Sequence, residues 1–299
     1  MNLADLNSRF ARPGAIAFEM SPLGGVVARL SRGTDSATIA LQGAQVLGWR
    51  HSGTEMLWLS PVARLGTGKA VRGGIPVCWP WFGSHPSDAA KPAHGFVRTR
   101  EWVVSSSIAG NETVSITFAT ATHPEDQALF PHTAEVRLAV TLGDELALKL
   151  ETRNTGPTAF PLTQALHTYF RVGDIANVTI EGLIGRRFAD KLGDDSVRHL
   201  EVAPISFERE VDRIYLGRTE AITLLGAQAG NRQLTIESEG SASAVVWNPW
   251  IDKTARLGDM GGPNAYRHMV CIETANAGDD VRTLAPGAEH TLSARYRPV

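Results

Sequence analysis

Hydrophobic and polar residues alternate along most of this chain with a period of two, while the 3.6-residue period of an amphipathic helix is weak. Val114, Ile116 and Phe118 alternate with Ser115 and Thr117, and Val136, Leu138, Val140 and Leu142 alternate with Arg137, Ala139 and Thr141. Gly143 and Asp144 predict a two-residue turn, after which Leu146, Leu148 and Leu150 resume the pattern, giving the clearest hairpin in the sequence. Residues 38–41 and 45–49 predict strands, and residues 56–59 predict the strand that returns across the turn at His51, Ser52, Gly53 and Thr54. Further strands are predicted at 178–180, 222–225, 234–237, 243–247, 268–274 and 291–296. The helical signals are short, for example over 125–130. Many short strands with turn-rich joints predict an all-β fold, a large antiparallel β-sandwich with few short helices. A closed barrel satisfies the same pattern.

One stretch breaks the alternation. Residues 69–98 run through Arg72-Gly73-Gly74-Ile75-Pro76-Val77-Cys78-Trp79-Pro80-Trp81-Phe82-Gly83 to His94-Gly95-Phe96-Val97-Arg98. Glycine and proline at this density exclude a helix and interrupt a strand, so the stretch is expected to be a rigid, irregular lining. Residues 64–100 carry Arg64, Lys69, Arg72, Lys91, Arg98 and Arg100 against a single acid, Asp88, whereas the 299-residue chain has a formal net charge of only -2. A cationic cluster in a near-neutral protein fits a small anionic ligand. The neighbouring Trp79, Trp81, Phe82, Phe96 and Trp102 offer flat apolar faces for a ring.

Composition narrows the field further. Hydrophobic residues make up 43% and charged residues 20%, as in ordinary globular proteins. There is no long basic run to bind nucleic acid. No apolar stretch approaches bilayer-spanning length, so no membrane association is expected. Two cysteines, Cys78 and Cys271, fit a reducing compartment, and the polar start lacks the apolar core of a secretory leader. The expectation is a cytoplasmic protein. The zinc-helix, phosphate-loop and nucleophile-elbow motifs are absent, and the nine histidines are too scattered to argue a metal site.

Two strands carry candidate chemistry. In residues 162–170, Leu162, Gln164, Leu166, Thr168 and Phe170 share one face, and Ala165, His167 and Tyr169 the other. Taken alone, His167 reads first as a satisfied structural histidine, although an imidazole there could exchange protons near neutral pH. In residues 269–276, Cys271 and Glu273 share a face opposite Val270 and Ile272. A carboxylate in such an apolar run is costly without partners, and partial burial would raise its pKa. The alternative is a solvent-facing glutamate on an edge strand. Trp247-Asn248-Pro249-Trp250 and Lys253 are expected to open a loop that feeds this strand through Asp259.

Together these segments resemble the aldose 1-epimerase (galactose mutarotase-like) superfamily, and within it the hexose-6-phosphate mutarotase branch. The resemblance rests on residues 69–83 and 94–98, on Ala165 to Phe170, on Asp212-Arg213-Ile214-Tyr215, on Trp247 to Trp250 and on Cys271-Ile272-Glu273-Thr274, in the family's order. It implies one galactose mutarotase-like domain over residues 1–299 and an isomerase that interconverts hexose 6-phosphate anomers by ring opening. Glu273 matches the family's base and His167 its acid. His94 and Asp212 match sugar-binding positions, Lys69 and Arg72 match a cationic pair near the 6-phosphate, and Arg98 lies in the same motif. The resemblance implies no cofactor and no metal, and the chain is expected to act as a monomer. A mutarotase for free aldoses and a non-catalytic carbohydrate-binding protein remain the alternatives.

Overall fold

The computed structural model describes residues 1–66, 68–217, 220–226 and 233–299. The alternating segments form antiparallel sheets throughout, as the period of two requires. Ile16–Met20, Val26–Arg32, Asp35–Ala40, Val46–His51 and Thr54–Glu55 make a five-stranded meander. A second sheet has eight strands in the order Thr179–Glu181, Ile222–Leu225, Leu234–Glu239, Glu289–Pro298, Leu146–Asn154, Ala134–Leu142, Val114–Ala121 and Val103–Ala109. One of its faces meets solvent, since burial alternates residue by residue along Ala134–Leu142 and Leu146–Asn154. The turn between those strands takes three residues, 143–145, one more than predicted.

The third sheet is covered on both faces at its centre, along Ser243–Asn248 and Met269–Asn276. Its order is Arg198–Leu200, Arg187–Asp190, Val211–Leu216, Ser243–Asn248, Met269–Asn276, Gln164–Leu166 and Val77–Cys78, with Tyr169–Arg171 also paired to Met269–Asn276. Every residue of Met269–Asn276 is buried. Its inner face packs on the solvent-facing sheet. Phe170 meets Tyr296 edge-on at 5.3 Å, Thr168 Oγ1 lies 2.6 Å from the Tyr296 hydroxyl, and Trp79 Nε1 donates to Thr152 Oγ1 at 3.1 Å. The result is the sandwich expected, with the third sheet's outer face left to build a site.

Three local expectations are corrected. The returning hairpin strand is Thr54–Glu55, with the Met56 N–H still donating to Trp49 O at 2.8 Å, and residues 57–59 do not continue it. Leu57 instead bridges Phe170 and Leu59 bridges Gly73, so this run crosses to the third sheet. Residues 125–130 give only a 3₁₀ turn, Pro124–Asp126. The tract after Asn248 is a helix, Trp250–Arg256, begun by Asn248 Oδ1 accepting the Trp250 N–H at 2.9 Å. The polar start is likewise a helix, Leu3–Phe10, capped by Asn2. Among the described residues, no helix is long and apolar enough to cross a membrane.

Candidate active site

The register of the third sheet brings the two candidate proton-transfer groups together. Ala165 pairs with Ala275 and Tyr169 with Cys271. His167, midway between them, therefore lies opposite Glu273. Regular pairing lapses at His167 and Thr168, where the His167 N–H donates instead to Pro76 O at 3.0 Å and the Tyr169 N–H to Gly74 O at 2.9 Å. The glycine-proline stretch thus serves as the neighbouring rail for this strand. On the other side, Val245 pairs with Glu273, Trp247 with both Cys271 and Asp212, and Ile214 with Val245. All of these side chains share the outer face.

His167 Nε2 stands 3.3 Å from Glu273 Oε1. Both residues are buried, at 8% and 2% exposure, yet His167 Nδ1 and Glu273 Oε2 have no hydrogen-bond partner. Buried polar groups are nearly always satisfied, so two orphans on one pair mark a place built for something else. Burial holds the imidazole well below its ordinary pKa, assisted by His94, Arg72 and Arg98. Burial also pushes the Glu273 carboxyl well above its usual range, with Asp212 adding to the effect. The same desolvation acts in opposite directions because it disfavours whichever form is charged. Burial therefore favours the uncharged form of each member, a protonated carboxyl beside a neutral imidazole.

The pair opens into a pocket of about 480 Å³, of small-molecule size, whose lining includes Arg72, His94, Lys191, Asp212, Trp247 and Lys253. Phe82 and Trp247 give it aromatic walls. His94 is held with φ +63°, a left-handed conformation uncommon for a residue with a Cβ and often found at functional sites. Its N–H donates to Gly83 O at 2.7 Å, and its Nδ1 accepts from the Gly83 N–H at 3.3 Å. The free Nε2 thus carries the proton. Burial, then Arg98 and Arg72, push the His94 pKa down to about 3, so the ring is a neutral donor. Asp212 Oδ2 lies 3.7 Å from Lys253 Nζ, and burial raises its pKa against the pull of that lysine.

The sequence model of the aldose 1-epimerase family matches residues 27–297. The chain belongs to the aldose 1-epimerase family. Two relatives named as candidate glucose-6-phosphate 1-epimerases, from Escherichia coli K12 and Cenchrus ciliaris, are each 36% identical to it. They align over 81% and 85% of this chain and 80% and 78% of their own length. The crystal structure of a candidate mutarotase from Salmonella typhimurium superposes with a TM-score of 0.88 at 28% identity, covering 97% of this chain and 95% of that one. Family membership supports an isomerase of the mutarotase type acting on a hexose.

The chain brings His167, Glu273, His94, Asp212 and Arg72 to one pocket. Lys69 is exposed and is not among the lining residues; its carbonyl accepts from Gln42 Nε2 at 2.9 Å. Arg98 also stays outside the lining, donates to Ala93 O at 2.8 Å, and acts on His94 and His167 through its charge. Of the five aromatics in and beside the 69–98 stretch, only Phe82 lines the pocket. Trp79, Trp81, Phe96 and Trp102 are core residues; Trp79, for one, turns its indole inward against Phe130 and Thr152. Lys191 escaped the sequence reading. It follows Arg187–Asp190, whose pairing to Val211–Leu216 places the Lys191 N–H on Asp212 O at 2.8 Å, and no local pattern announces that pairing.

Proposed function

We propose that this protein interconverts the α and β anomers of a hexose 6-phosphate, with Glu273 and His167 as base and acid. The observation that carries this reading is the buried pair 3.3 Å apart with one unpartnered atom on each member. In ring opening, the proton of the pair passes from the Glu273 carboxyl to His167 Nε2 across the 3.3 Å gap; the carboxylate so formed takes the proton of the anomeric hydroxyl and the C1–O bond to the ring oxygen breaks. Its electron pair passes to the ring oxygen, which takes a proton from the His167 imidazolium. Rotation about C1–C2 turns the aldehyde. In closure, neutral His167 takes the hydroxyl proton as the oxygen attacks C1, and the Glu273 carboxyl protonates the former carbonyl. The two directions thus use two tautomers of one singly protonated pair. His94 and Asp212 would hold sugar hydroxyls as donor and acceptor, and no metal or cofactor enters any step.

This reading fixes the sign of the pH dependence. With ordinary values of 4.5 and 6.5, the pair would lose its last proton as pH rises through 6.5. Burial raises the carboxyl and lowers the imidazole, so neither group titrates at its ordinary value and the step that an ordinary histidine would give at 6.5 is not expected. The expected kcat/KM for free glucose, corrected for the solvent reaction, is flat from pH 6.5 to 8. A fall of about tenfold per unit across that interval would contradict the assignment.

Phosphate preference is supported by Arg72, Lys191 and Lys253 in the lining and by the names of the relatives. A hydrogen bond to an ionised group contributes roughly 1.5–3 kcal/mol. Arg72 already holds Asp259 Oδ2 at 3.0 Å and the Tyr169 hydroxyl at 3.0 Å, which reduces its share. Arg72→Ala is expected to lower kcat/KM for glucose 6-phosphate by about tenfold relative to glucose. A second reading, a mutarotase for free aldoses, is favoured by one observation: each lining cation has an acidic partner, Asp259, Asp195 or Glu210. That reading requires the same ratio in wild type, Arg72→Ala and Lys191→Ala, as measured by exchange NMR on the two sugars.

A further inference from the structure

We propose that Cys271, His167 and Glu273 form a binding site for a soft divalent cation of the zinc class, and that an ion bound there shuts the acid–base pair off. The three donor atoms lie within 4.8 Å of one another, and all three residues are buried. Zinc bonds to sulfur at about 2.3 Å and to nitrogen and oxygen at about 2.0–2.2 Å, so neighbouring ligand atoms of a tetrahedral shell lie roughly 3.3–3.7 Å apart. His167 Nε2 and Glu273 Oε1 already have such a spacing, at 3.3 Å, and the Cys271 sulfur, within 4.8 Å of its partners, would close in by up to about an ångström on binding.

Orientation and charge agree with the spacing. Cys271 and Glu273 alternate on one strand and share its outer face, and Cys271 pairs with Tyr169, whose ring stacks on His167 at 4.8 Å. Glu273 Oε2, on a residue only 2% exposed, is without a partner. A thiolate, a carboxylate and a neutral imidazole sum to the charge that cancels a divalent ion, which makes a neutral complex where a net charge would be costly. Binding releases the thiol and carboxyl protons to solvent. Thiolate and imidazole favour zinc or cadmium over magnesium or calcium. Arg72 opposes the ion and Asp212 favours it; both line the same pocket.

The inhibitory half rests on the acid–base reading, whereas binding is read without turnover. Chelator-treated protein titrated with Cd²⁺ should develop the ultraviolet thiolate-to-metal charge-transfer absorption with one ion per chain. Cys271→Ala should abolish it, and Cys78→Ala, at the other buried cysteine, should retain it. Zn²⁺ should suppress wild-type anomer exchange at least about tenfold, reversibly on chelation, and Cys271→Ala should require about a hundredfold more Zn²⁺ for the same suppression. A thermal melt establishes that Cys271→Ala folds; Glu273→Gln, read by the same absorption, should weaken Cd²⁺ binding to a comparable degree. No absorption in wild type, absorption that survives Cys271→Ala, or unchanged affinity in Glu273→Gln overturns the site. Full turnover by the loaded protein overturns the inhibition, and with it the acid–base assignment.

Discussion

Glu273→Gln should lower kcat for anomer exchange by about 10²–10⁴-fold, the range for one positioned proton-transfer group. Glutamine keeps the size and two polar atoms of the side chain but accepts no proton from a sugar hydroxyl. His167→Gln should cost a similar factor. The double variant should cost little more than either single one, because one proton serves both groups and removing either disables the pair. Stability should move the other way. A carboxyl at 2% exposure with an unpartnered oxygen is a burden on the fold, so Glu273→Gln should melt no lower than wild type. A purely structural role for Glu273 makes the reverse forecast, a lower melting temperature with normal turnover per folded molecule. Exchange NMR with paired thermal melts separates the two.

Gly95→Ala should destabilise the protein by about 3 kcal/mol or more. Gly95 has φ +71°, and a Cβ there would sit 1.7 Å from the Trp79 carbonyl oxygen. That carbonyl also accepts the Phe96 N–H at 3.2 Å, so neither backbone can retreat without giving up the bridge between residues 79 and 95. The left-handed conformation alone costs a residue with a Cβ roughly 1–2 kcal/mol. Gly83→Ala isolates that component: its φ is +74° and nothing lies within 4 Å of the added carbon. Denaturant melts of the two variants should therefore differ by the clash, and equal losses would mean that the 79–95 bridge yields freely. Since His94 adjoins Gly95, the same substitution should also disturb the pocket.

Most of this architecture could be read from residues alone where one face of a strand meets water. The alternation over 136–142 and 146–150 survives as alternating burial. Strand parity also put His167 with Tyr169, and Cys271 with Glu273, on shared faces, as the stacking and the register bear out. Parity does not say which strands are neighbours, so the meeting of His167 with Glu273 came from resemblance and then from register. The fully buried Met269–Asn276 strand excludes the solvent-facing edge position for Glu273. Charge counting did worse. Six cations over residues 64–100 read as one patch, but Arg100 is spent on Asp126, Lys91 on the Leu129 carbonyl and Arg98 on the Ala93 carbonyl. Only Arg72 of that group lines the pocket, while Lys191 and Lys253 arrive from distant segments.

Of the proposed proton-transfer pair, Glu273 sits on a central strand and His167 in the short break between Gln164–Leu166 and Tyr169–Arg171, whereas Arg72, Phe82, His94 and Lys253 come from the connecting segments around them. This division separates what must stay fixed from what can vary. A sheet covered on both sides holds two side chains at a constant spacing whatever the rim presents. Substitutions or grafts in the rim can then re-aim the pocket at another sugar while the reacting carbon still meets the same two groups, so changes of diet need not reinvent the chemistry.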